Sequence, residues 1–318
     1  MDRPFTAVLL AGTLRPTPLR QALDIPALCL PVGGAGTLLE AWRRRLGEIG
    51  VGAVRIAVNS DHDAVTVMNG AGPIADPPGD GIRAVAEPSA WRGAGGILRD
   101  VAGDAPEGVP VLAAEANALP PEDLGPLVEA MSGWPAGVVG TYVDDQPAGV
   151  YLFSRELLGR IPPIGYHDLK EQFLPMLASG GVEIGAARIP GEPTSLRDCA
   201  GYLAAVRLGL GGAGDDPRCC RVSAGAKVST SAVVEDGCIV EAEAVIEDGA
   251  VVHQSVVLRG AVVQRGAVVS RSVVGPGARV TVDRRVIRDV VFDAEAYRGA
   301  RDRAAAPGET AVAGGERR

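Results

Sequence analysis

Apolar residues recur at every sixth position in the C-terminal third of the chain. A strict period of six fits neither an α-helix nor a strand with one buried face, and hexapeptide repeats build parallel β-helices. We therefore predict a parallel β-helix over residues 211–292, in which each branched residue points inward. The apolar anchors are Val222, Val228, Val234, Val240, Ile246, Val252 and Leu258, and the small residues at matching phase are Ala226, Ala232, Cys238, Ala244 and Ala250.

The repeat is interrupted twice by a five-residue step. The steps fall between Leu258 and Val263 and between Val269 and Val274, after which the pattern resumes through Val280 and Val286. Such steps fit bulges or short loops at the corners of a coil. The stretch is long enough for about four coils, above the rough minimum of three repeats that bury a continuous core.

Strand and helix patterns alternate through residues 1–210. This alternation predicts an α/β domain with a mostly parallel sheet covered on both faces, where ligands bind beyond the carboxyl ends of the strands. A capping box at Thr37 and Glu40 predicts one helix start. The other predicted elements are strands at 6–10, 53–58, 82–86, 109–114 and 137–142, and helices at 61–68, 94–102, 121–131, 154–160, 168–178 and 195–209.

Composition limits the expected partners and compartment. The net charge is −8 and no basic run precedes the C-terminal tail, so we expect no nucleic-acid partner. We expect a cytoplasmic protein without a membrane partner, because no apolar segment approaches membrane-spanning length and the first residues do not resemble a signal peptide. The five cysteines lack metal-ligand spacing, which is typical of reduced thiols. Residues 293–318 are expected to form a disordered tail.

Four segments in a fixed order carry a family resemblance. They read AVLLAG at 7–12 with LRP at 14–16 and IPALCLPVGG at 25–34; EP at 87–88 with RGAGGIL at 92–98; PAGVYLFS at 147–154; and HDLKEQFLP at 167–175. Together with the hexapeptide repeat, they resemble the sugar-1-phosphate nucleotidyltransferases, or NDP-sugar pyrophosphorylases. The resemblance spans residues 5–291 and implies a Rossmann-like nucleotidyltransferase domain followed by a left-handed parallel β-helix.

The resemblance also implies a set of site residues. A nucleotide would meet the first loop and a second glycine-rich element, the sugar would lie near the third and fourth segments, and the metal-binding Asp of the family aligns with an Asn. The residues concerned are Ala11, Gly12, Thr13 and Arg15 in the loop, Gly93, Ala94 and Gly95 against the base, Gly149 and Asp168 near the sugar, and Asn117 with the neighbouring Glu115 at the metal position.

Several charges on which the family relies are missing from this chain. Its first Lys aligns with Ala27, no Lys precedes Lys170, and its second metal-binding Asp aligns near Ser195, with Asp198 expected one turn into a helix. Nucleotidyl transfer depends on cations that neutralise developing charge. We therefore expect a protein that binds a nucleotide, sugar nucleotide or sugar phosphate with weak or lost catalysis. Its expected role is regulatory or scaffolding, as a homo-oligomer or with an active paralogue.

Two alternatives stay open at this point. The first is an active Mg²⁺-dependent nucleotidyltransferase whose phosphate site is rebuilt around Arg15, Arg20 and Arg92, with Glu115 or Asn117 holding the metal. The second is a hexapeptide acyltransferase with His253 as the general base, although an exposed His on a β-helix side explains that residue more simply. Trp91 either stacks on a base or packs in a core or hinge.

Overall fold

The computed structural model describes residues 5–12, 16–34, 36–70, 81–87, 91–142, 144–211 and 219–292. Thr13 and Arg15 of the predicted phosphate loop lie outside the described residues, as does the predicted tail at 293–318. Within the described part, strands and helices alternate up to residue 211, and short strands alone follow from residue 221.

The alternating part contains the predicted strands and helices in the predicted order, and it adds a helix at Pro18–Leu23 and strands at Pro147–Phe153 and Gly185–Arg188. Its strands are β1 (Phe5–Leu10), β2 (Val51–Val58), β3 (Gly81–Ala86), β4 (Val111–Glu115), β5 (Gly137–Thr141), β6 (Pro147–Phe153) and β7 (Gly185–Arg188). Its helices are α1 (Pro18–Leu23), α2 (Leu38–Glu48), α3 (Asp61–Gly70), α4 (Gly93–Val101), α5 (Gly125–Ala130), α6 (Arg155–Leu158), α7 (Leu174–Ser179) and α8 (Cys199–Leu210), with a 3₁₀ turn at Ala27–Cys29 and a π-helical turn at Leu169–Phe173.

The first seven strands form one sheet in the order β3-β2-β1-β4-β6-β5-β7. Neighbours are parallel except where β6 runs antiparallel to β4 and β5. One apolar cluster containing Leu9 and Trp42 covers one face, and another containing Val8 and Phe153 covers the other. Because both faces are covered, β1 is buried along its whole length. The predicted mostly parallel α/β sheet is confirmed.

The start of α2 forms as the capping box predicts. The Thr37 hydroxyl accepts from the Glu40 amide at 3.3 Å, and the Glu40 carboxylate accepts from the Thr37 amide at 2.7 Å. Farther along α2, Trp42 donates from Nε1 to the Ala118 carbonyl at 3.0 Å. This bond ties the helix to the segment that follows β4, which lines the cleft described below.

Two details differ from the sequence expectation. Helix α8 begins at Cys199, and Asp198 caps it by accepting from the Gly201 amide at 2.8 Å, so it does not lie one turn inside a helix. Asp is among the preferred N-cap residues, which accounts for the later start. Strand β7 was not predicted, because four small or polar residues of alternating burial carry little apolar signal.

The C-terminal strands stack into a three-sided prism. Its first side contains β8, β11, β14, β17 and β20; its second side contains β9, β12, β15 and β18; and its third side contains β10, β13, β16 and β19. The strands are β8 (Arg221–Val222), β9 (Lys227–Val228), β10 (Val233–Glu235), β11 (Ile239–Val240), β12 (Val245–Ile246), β13 (Val251–His253), β14 (Val256–Val257), β15 (Val262–Val263), β16 (Val268–Ser270), β17 (Val273–Val274), β18 (Arg279–Val280), β19 (Arg285–Ile287) and β20 (Val290–Val291).

All stacked pairs are parallel, so the chain forms a parallel β-helix as predicted. The stacking corrects one anchor, however, because Val257 and not Leu258 pairs with Val240 and Val274. The first five-residue step therefore lies between Val252 and Val257, one corner earlier than the sequence indicates. The left-handed sense of the coil stays a prediction.

Leu258 is buried for a different reason. It belongs to the apolar cluster of the N-terminal part, together with Ile239, Val256 and Val273, which point outward from the first side. At the edge of this contact, Arg221 donates from Nη1 to the Gly33 carbonyl at 2.8 Å. The first side of the prism thus packs against the α/β part through a continuous apolar core. No helix in the described ranges is both long enough and apolar enough to cross a membrane.

Candidate functional site

A cleft of about 500 Å³ lies beyond the carboxyl ends of β1 and β4. This is where a parallel sheet is expected to bind ligands. It brings together five residues of the predicted site, namely Gly12, Ala94, Glu115, Asn117 and Asp168. The remaining lining residues are Leu10, Ala118, Leu169, Lys170, Thr194, Ser195 and Arg197.

The most prominent contact in the cleft joins Lys170 to Glu115. The Lys170 ammonium lies 2.6 Å from Glu115 Oε1, and both side chains are partly exposed. The Tyr151 hydroxyl donates to the same carboxylate oxygen at 3.4 Å. Burial raises the pKa of Tyr151 well above its usual range, and the Glu115 charge raises it further, so the phenol stays a donor. Gly149 leaves space for the Glu115 side chain, because a Cβ at this position would lie 3.2 Å from the Glu115 Cβ.

Asp168 holds the backbone at Lys170 in place. Its Oδ1 accepts from the backbone amides of Lys170 at 2.7 Å and Glu171 at 2.8 Å, which caps the helical turn that follows. The cap orients the first turn so that Lys170 projects into the cleft. Asp168 therefore caps this turn and also lines the cleft, and its predicted contact with a sugar stays a prediction.

The second glycine-rich element closes against a backbone carbonyl. The Gly95 and Gly96 amides both donate to the His167 carbonyl, at 2.8 and 3.1 Å. Gly93 has a φ of +68°, and a Cβ on it would lie 2.7 Å from the same oxygen. These glycines permit close packing of α4 on the 167–168 backbone, and Ala94 is the member of the element that lines the cleft. Their contact with a nucleobase stays a prediction.

In the described part of the first loop, the backbone amides are also used in hydrogen bonds within the protein. The Ala11 and Gly12 amides both donate to the Ala57 carbonyl, at 2.9 and 3.0 Å. The Glu87 carboxyl lies against Gly12, where an added Cβ would come within 1.9 Å of its Oε1. Partial burial raises the pKa of Glu87. Neither amide is available to a phosphate in this arrangement.

Arg92 is not placed to serve a phosphate site. Its guanidinium is buried, with Nε and Nη2 donating to the Asp100 carboxylate at 2.7 and 3.1 Å and Nη1 donating to the Gly165 carbonyl at 2.6 Å. Arg20 likewise donates to Asp63 on α3 at 2.6 Å and does not line the cleft. The rebuilt phosphate site around these two arginines is therefore absent from the described cleft.

Trp91 is 77% exposed, so its packing in a core is excluded. His253 lies on the third side of the β-helix, outside the cleft, with Nδ1 3.7 Å from a Glu235 oxygen and Nε2 3.6 Å from an Asp236 oxygen. The histidine is thus a partly exposed β-helix residue between two acids. Stacking of Trp91 on a base stays a prediction.

Sequence reasoning missed the two cations of the cleft, Lys170 and Arg197. Lys170 follows the Asp168 cap, and Arg197 follows a segment held by two hydrogen bonds: Leu196 N to the Asn117 carbonyl at 2.7 Å, and Leu119 N to Thr194 Oγ1 at 2.9 Å. One sequence signal was present, because the chain contains only two lysines and one of them lies in the fourth family-like segment.

The described donors do not fit a Mg²⁺ ion. Among the described residues, no group of three or more His, Cys, Asp or Glu side chains is arranged to hold a metal. The Glu115 carboxylate is already paired with the Lys170 ammonium, and Asp168 Oδ1 accepts two backbone hydrogen bonds. Mg²⁺ favours carboxylate oxygens and water in octahedral geometry.

Comparison with known families agrees with the C-terminal fold. Residues 218–297, about a quarter of the chain, match the model of the GMPPB C-terminal domain. No curated protein matches the chain significantly. The C-terminal part of the chain is therefore similar to the C-terminal domain of GMPPB, which agrees with the predicted resemblance to the sugar-1-phosphate nucleotidyltransferases there.

Proposed function

We propose that the cleft binds a phosphorylated sugar, as a sugar 1-phosphate or as the sugar nucleotide that contains it, with weak or no nucleotidyl transfer. The Lys170 ammonium beyond β4 is the observation that carries the proposal. It offers a charged donor to a phosphate, in a cleft whose Asp168, Asn117 and Ser195 supply hydrogen-bonding groups to sugar hydroxyls.

The charge balance of the cleft supports binding over transfer. During nucleotidyl transfer, several cations must neutralise the charge that develops on the triphosphate. The described lining offers two, Lys170 and Arg197, and sets them beside the carboxylates of Glu115 and Asp168. A singly phosphorylated sugar matches this balance better than a nucleoside triphosphate does. The binding role would be regulatory or scaffolding.

Titration calorimetry tests the proposal directly. The panel consists of glucose 1-phosphate, mannose 1-phosphate, the four nucleoside triphosphates, UDP-glucose and GDP-mannose. We expect saturable binding of a sugar phosphate or sugar nucleotide. Lys170→Met should weaken it about 10- to 100-fold, the range for loss of one charged hydrogen bond. Lys227→Met is the matched control, because the only other lysine lies on the β-helix. Absence of binding across the panel would contradict the proposal.

A pyrophosphate assay separates binding from catalysis. The full chain is incubated with each triphosphate, Mg²⁺ and either sugar phosphate. We expect little or no pyrophosphate above a protein-free control. Rapid, protein-dependent release would instead support the active nucleotidyltransferase and would refute weak or lost transfer, whatever the calorimetry shows.

We further propose that the β-helix pairs with a second copy of the chain. Residues 221–248 contain six acidic and two basic residues, whereas residues 253–292 contain seven arginines and two acids. An antiparallel pair would set the acidic end of one copy against the basic end of the other, as an isologous two-fold contact allows. The second side of the prism suits this contact, because its outward residues are all at least partly exposed, namely Lys227, Val245, Val262 and Arg279.

A further inference from the structure

One corner of the β-helix contains a column of stacked polar side chains. Its members are Cys220, Cys238, Ser255, Ser272 and Asp289, one from each successive coil. The Cys238 amide donates to Cys220 Sγ at 3.3 Å, and the Ser255 amide donates to Cys238 Sγ at 3.4 Å. The Ser272 amide donates to Ser255 Oγ at 3.0 Å, and the Asp289 amide donates to Ser272 Oγ at 3.1 Å. Sulfur occupies the first two positions and oxygen the following ones.

The two cysteines are direct neighbours in this column. Cys220 precedes Arg221, Cys238 precedes Ile239, and those two residues are paired in register between β8 and β11. Adjacent strands lie about 4.7–4.9 Å apart, which falls inside the Cα separation of about 4.4–6.8 Å that a disulfide requires. Both thiols also point into the same column. A bond between them therefore needs little backbone movement.

Their surroundings make the two thiols chemically different. A hydrogen bond from the Cys238 thiol lowers the pKa of Cys220 to about 6, against the opposing effects of its own burial and of Asp236. The same bond, together with burial, raises the pKa of Cys238. Cys220 also opens on a surface cavity of about 550 Å³ lined by Glu235, Asp236 and His253, whereas Cys238 is fully buried. The thiol with the lowered pKa is thus the one that opens on the surface, and the other is held behind it.

We propose that Cys220 is an oxidation site for hydroperoxides and that Cys238 completes a disulfide that staples the first coil to the second. The Cys220 thiolate attacks a peroxide oxygen, the O–O bond breaks, and the departing oxygen takes a proton to leave as water or an alcohol. The Cys238 thiol then attacks the Cys220 sulfenic acid. The S–S bond forms, the S–O bond breaks, and water leaves with the thiol proton. The two sulfurs supply the two electrons that reduce the peroxide.

The other cysteines provide internal comparisons. Burial raises the pKa of Cys29 and of Cys199 to about 11, so both should stay thiols under mild oxidation. Cys219 is exposed and adjacent to Cys220 in sequence, so it tests whether exposure alone determines reactivity. We expect Cys220 to react at least about tenfold faster than Cys29 or Cys199, because thiolate fraction and access govern the rate.

The experiment treats the full-length chain with stoichiometric hydrogen peroxide near neutral pH and maps cysteine-containing peptides by mass spectrometry. We expect a Cys220–Cys238 cross-link in the wild type and in Cys219→Ser. In Cys238→Ser, dimedone should trap a sulfenic acid at Cys220. In Cys220→Ser, neither the cross-link nor dimedone labelling at Cys238 should appear.

Two outcomes would overturn the inference. One is dimedone labelling of Cys219 with Cys220 unmodified in the Cys238→Ser chain. The other is a cross-link that joins a different pair in the wild type. Circular dichroism of each variant confirms that its fold is intact, so loss of the cross-link is not attributed to unfolding.

Discussion

Individual side chains make the cleft different from the one that the family resemblance implies. Two cations line it, Lys170 and Arg197, at positions to which the family resemblance assigns no phosphate role. Arg92 lies in a family-like segment, but its guanidinium donates hydrogen bonds to Asp100 and to two backbone carbonyls. The sequence shows both residues but not their partners, because such pairings join segments up to 73 residues apart. The glycines at 93 and 95 permit close packing on the His167 carbonyl, and Gly149 permits close packing on the Glu115 side chain, whereas their contacts with a ligand stay predictions.

Glu115→Gln should tighten binding of a sugar phosphate. The Glu115 carboxylate competes with an incoming phosphate for the Lys170 ammonium at 2.6 Å. Removing its charge should strengthen binding by up to about tenfold, within the range of one charged hydrogen bond. Calorimetry on the wild type, Glu115→Gln, Lys170→Met and the double variant measures the coupling. An equal gain with and without Lys170 would show that the competition does not exist.

Glu87→Gln should stabilise the fold at neutral pH. Burial raises the folded-state pKa of Glu87, so the native state holds its proton more tightly than the unfolded chain does. The resulting stabilisation is full below the unfolded pKa of about 4.3 and is lost as pH rises through the folded pKa. Gln should recover less than about 1 kcal/mol, because the carboxyl is only half buried. Urea unfolding against pH, with exposed Glu107→Gln as the control, measures this; equal pH profiles for Glu87→Gln and wild type would rule it out.

At the scale of elements, the repeat predicts the coil but not its register. The anchors up to Val252 hold, and the next position offers two buried apolar residues, Val257 and Leu258, that periodicity alone cannot tell apart. Stacking selects Val257 because Ser255 must reach the column above Cys238. Leu258 is then left to the N-terminal core. The ambiguity arises because apolar residues line both the inside of the prism and its first side.

Val263→Ala should destabilise the β-helix by about 2 kcal/mol, since it removes two methyl groups from a fully buried stack. Val282→Ala, at an exposed position of the same part, should change the free energy of unfolding by less than about 0.5 kcal/mol. Chemical unfolding of both variants provides the comparison. Similar effects at the two positions would mean that Val263 is not an inward anchor.

At the scale of the whole molecule, the α/β part and the β-helix share one apolar core through the first side of the prism. That contact fixes which sides stay open, and sequence composition could not predict it, because the outward Ile239, Val256 and Val273 read as ordinary strand residues. The sequence shows the uneven distribution of charge. The stacking of the coils then places the acidic residues toward one end of the prism and the basic residues toward the other.

Self-association through the second side should weaken with salt. Opposite charges at the two ends attract across the interface, and salt limits the range of this attraction between exposed charges to about 10 Å at 0.1 M. Sedimentation velocity should show a dimer at low ionic strength that dissociates as salt is added. Arg279→Glu should weaken the dimer, whereas Arg160→Glu, the same charge change in the N-terminal part, should not. A monomer under all conditions, or a dimer indifferent to both salt and Arg279→Glu, would refute this pairing.

The central claim is that Lys170 holds the phosphate of a bound sugar, and differential lysine methylation tests it within one molecule. The full chain is methylated reductively with and without the sugar phosphate or sugar nucleotide that binds, and both lysines are followed by mass spectrometry. With ligand about tenfold above its Kd, methylation of Lys170 should slow about tenfold while that of Lys227 is unchanged. Unchanged methylation of Lys170 with the ligand bound would contradict the account.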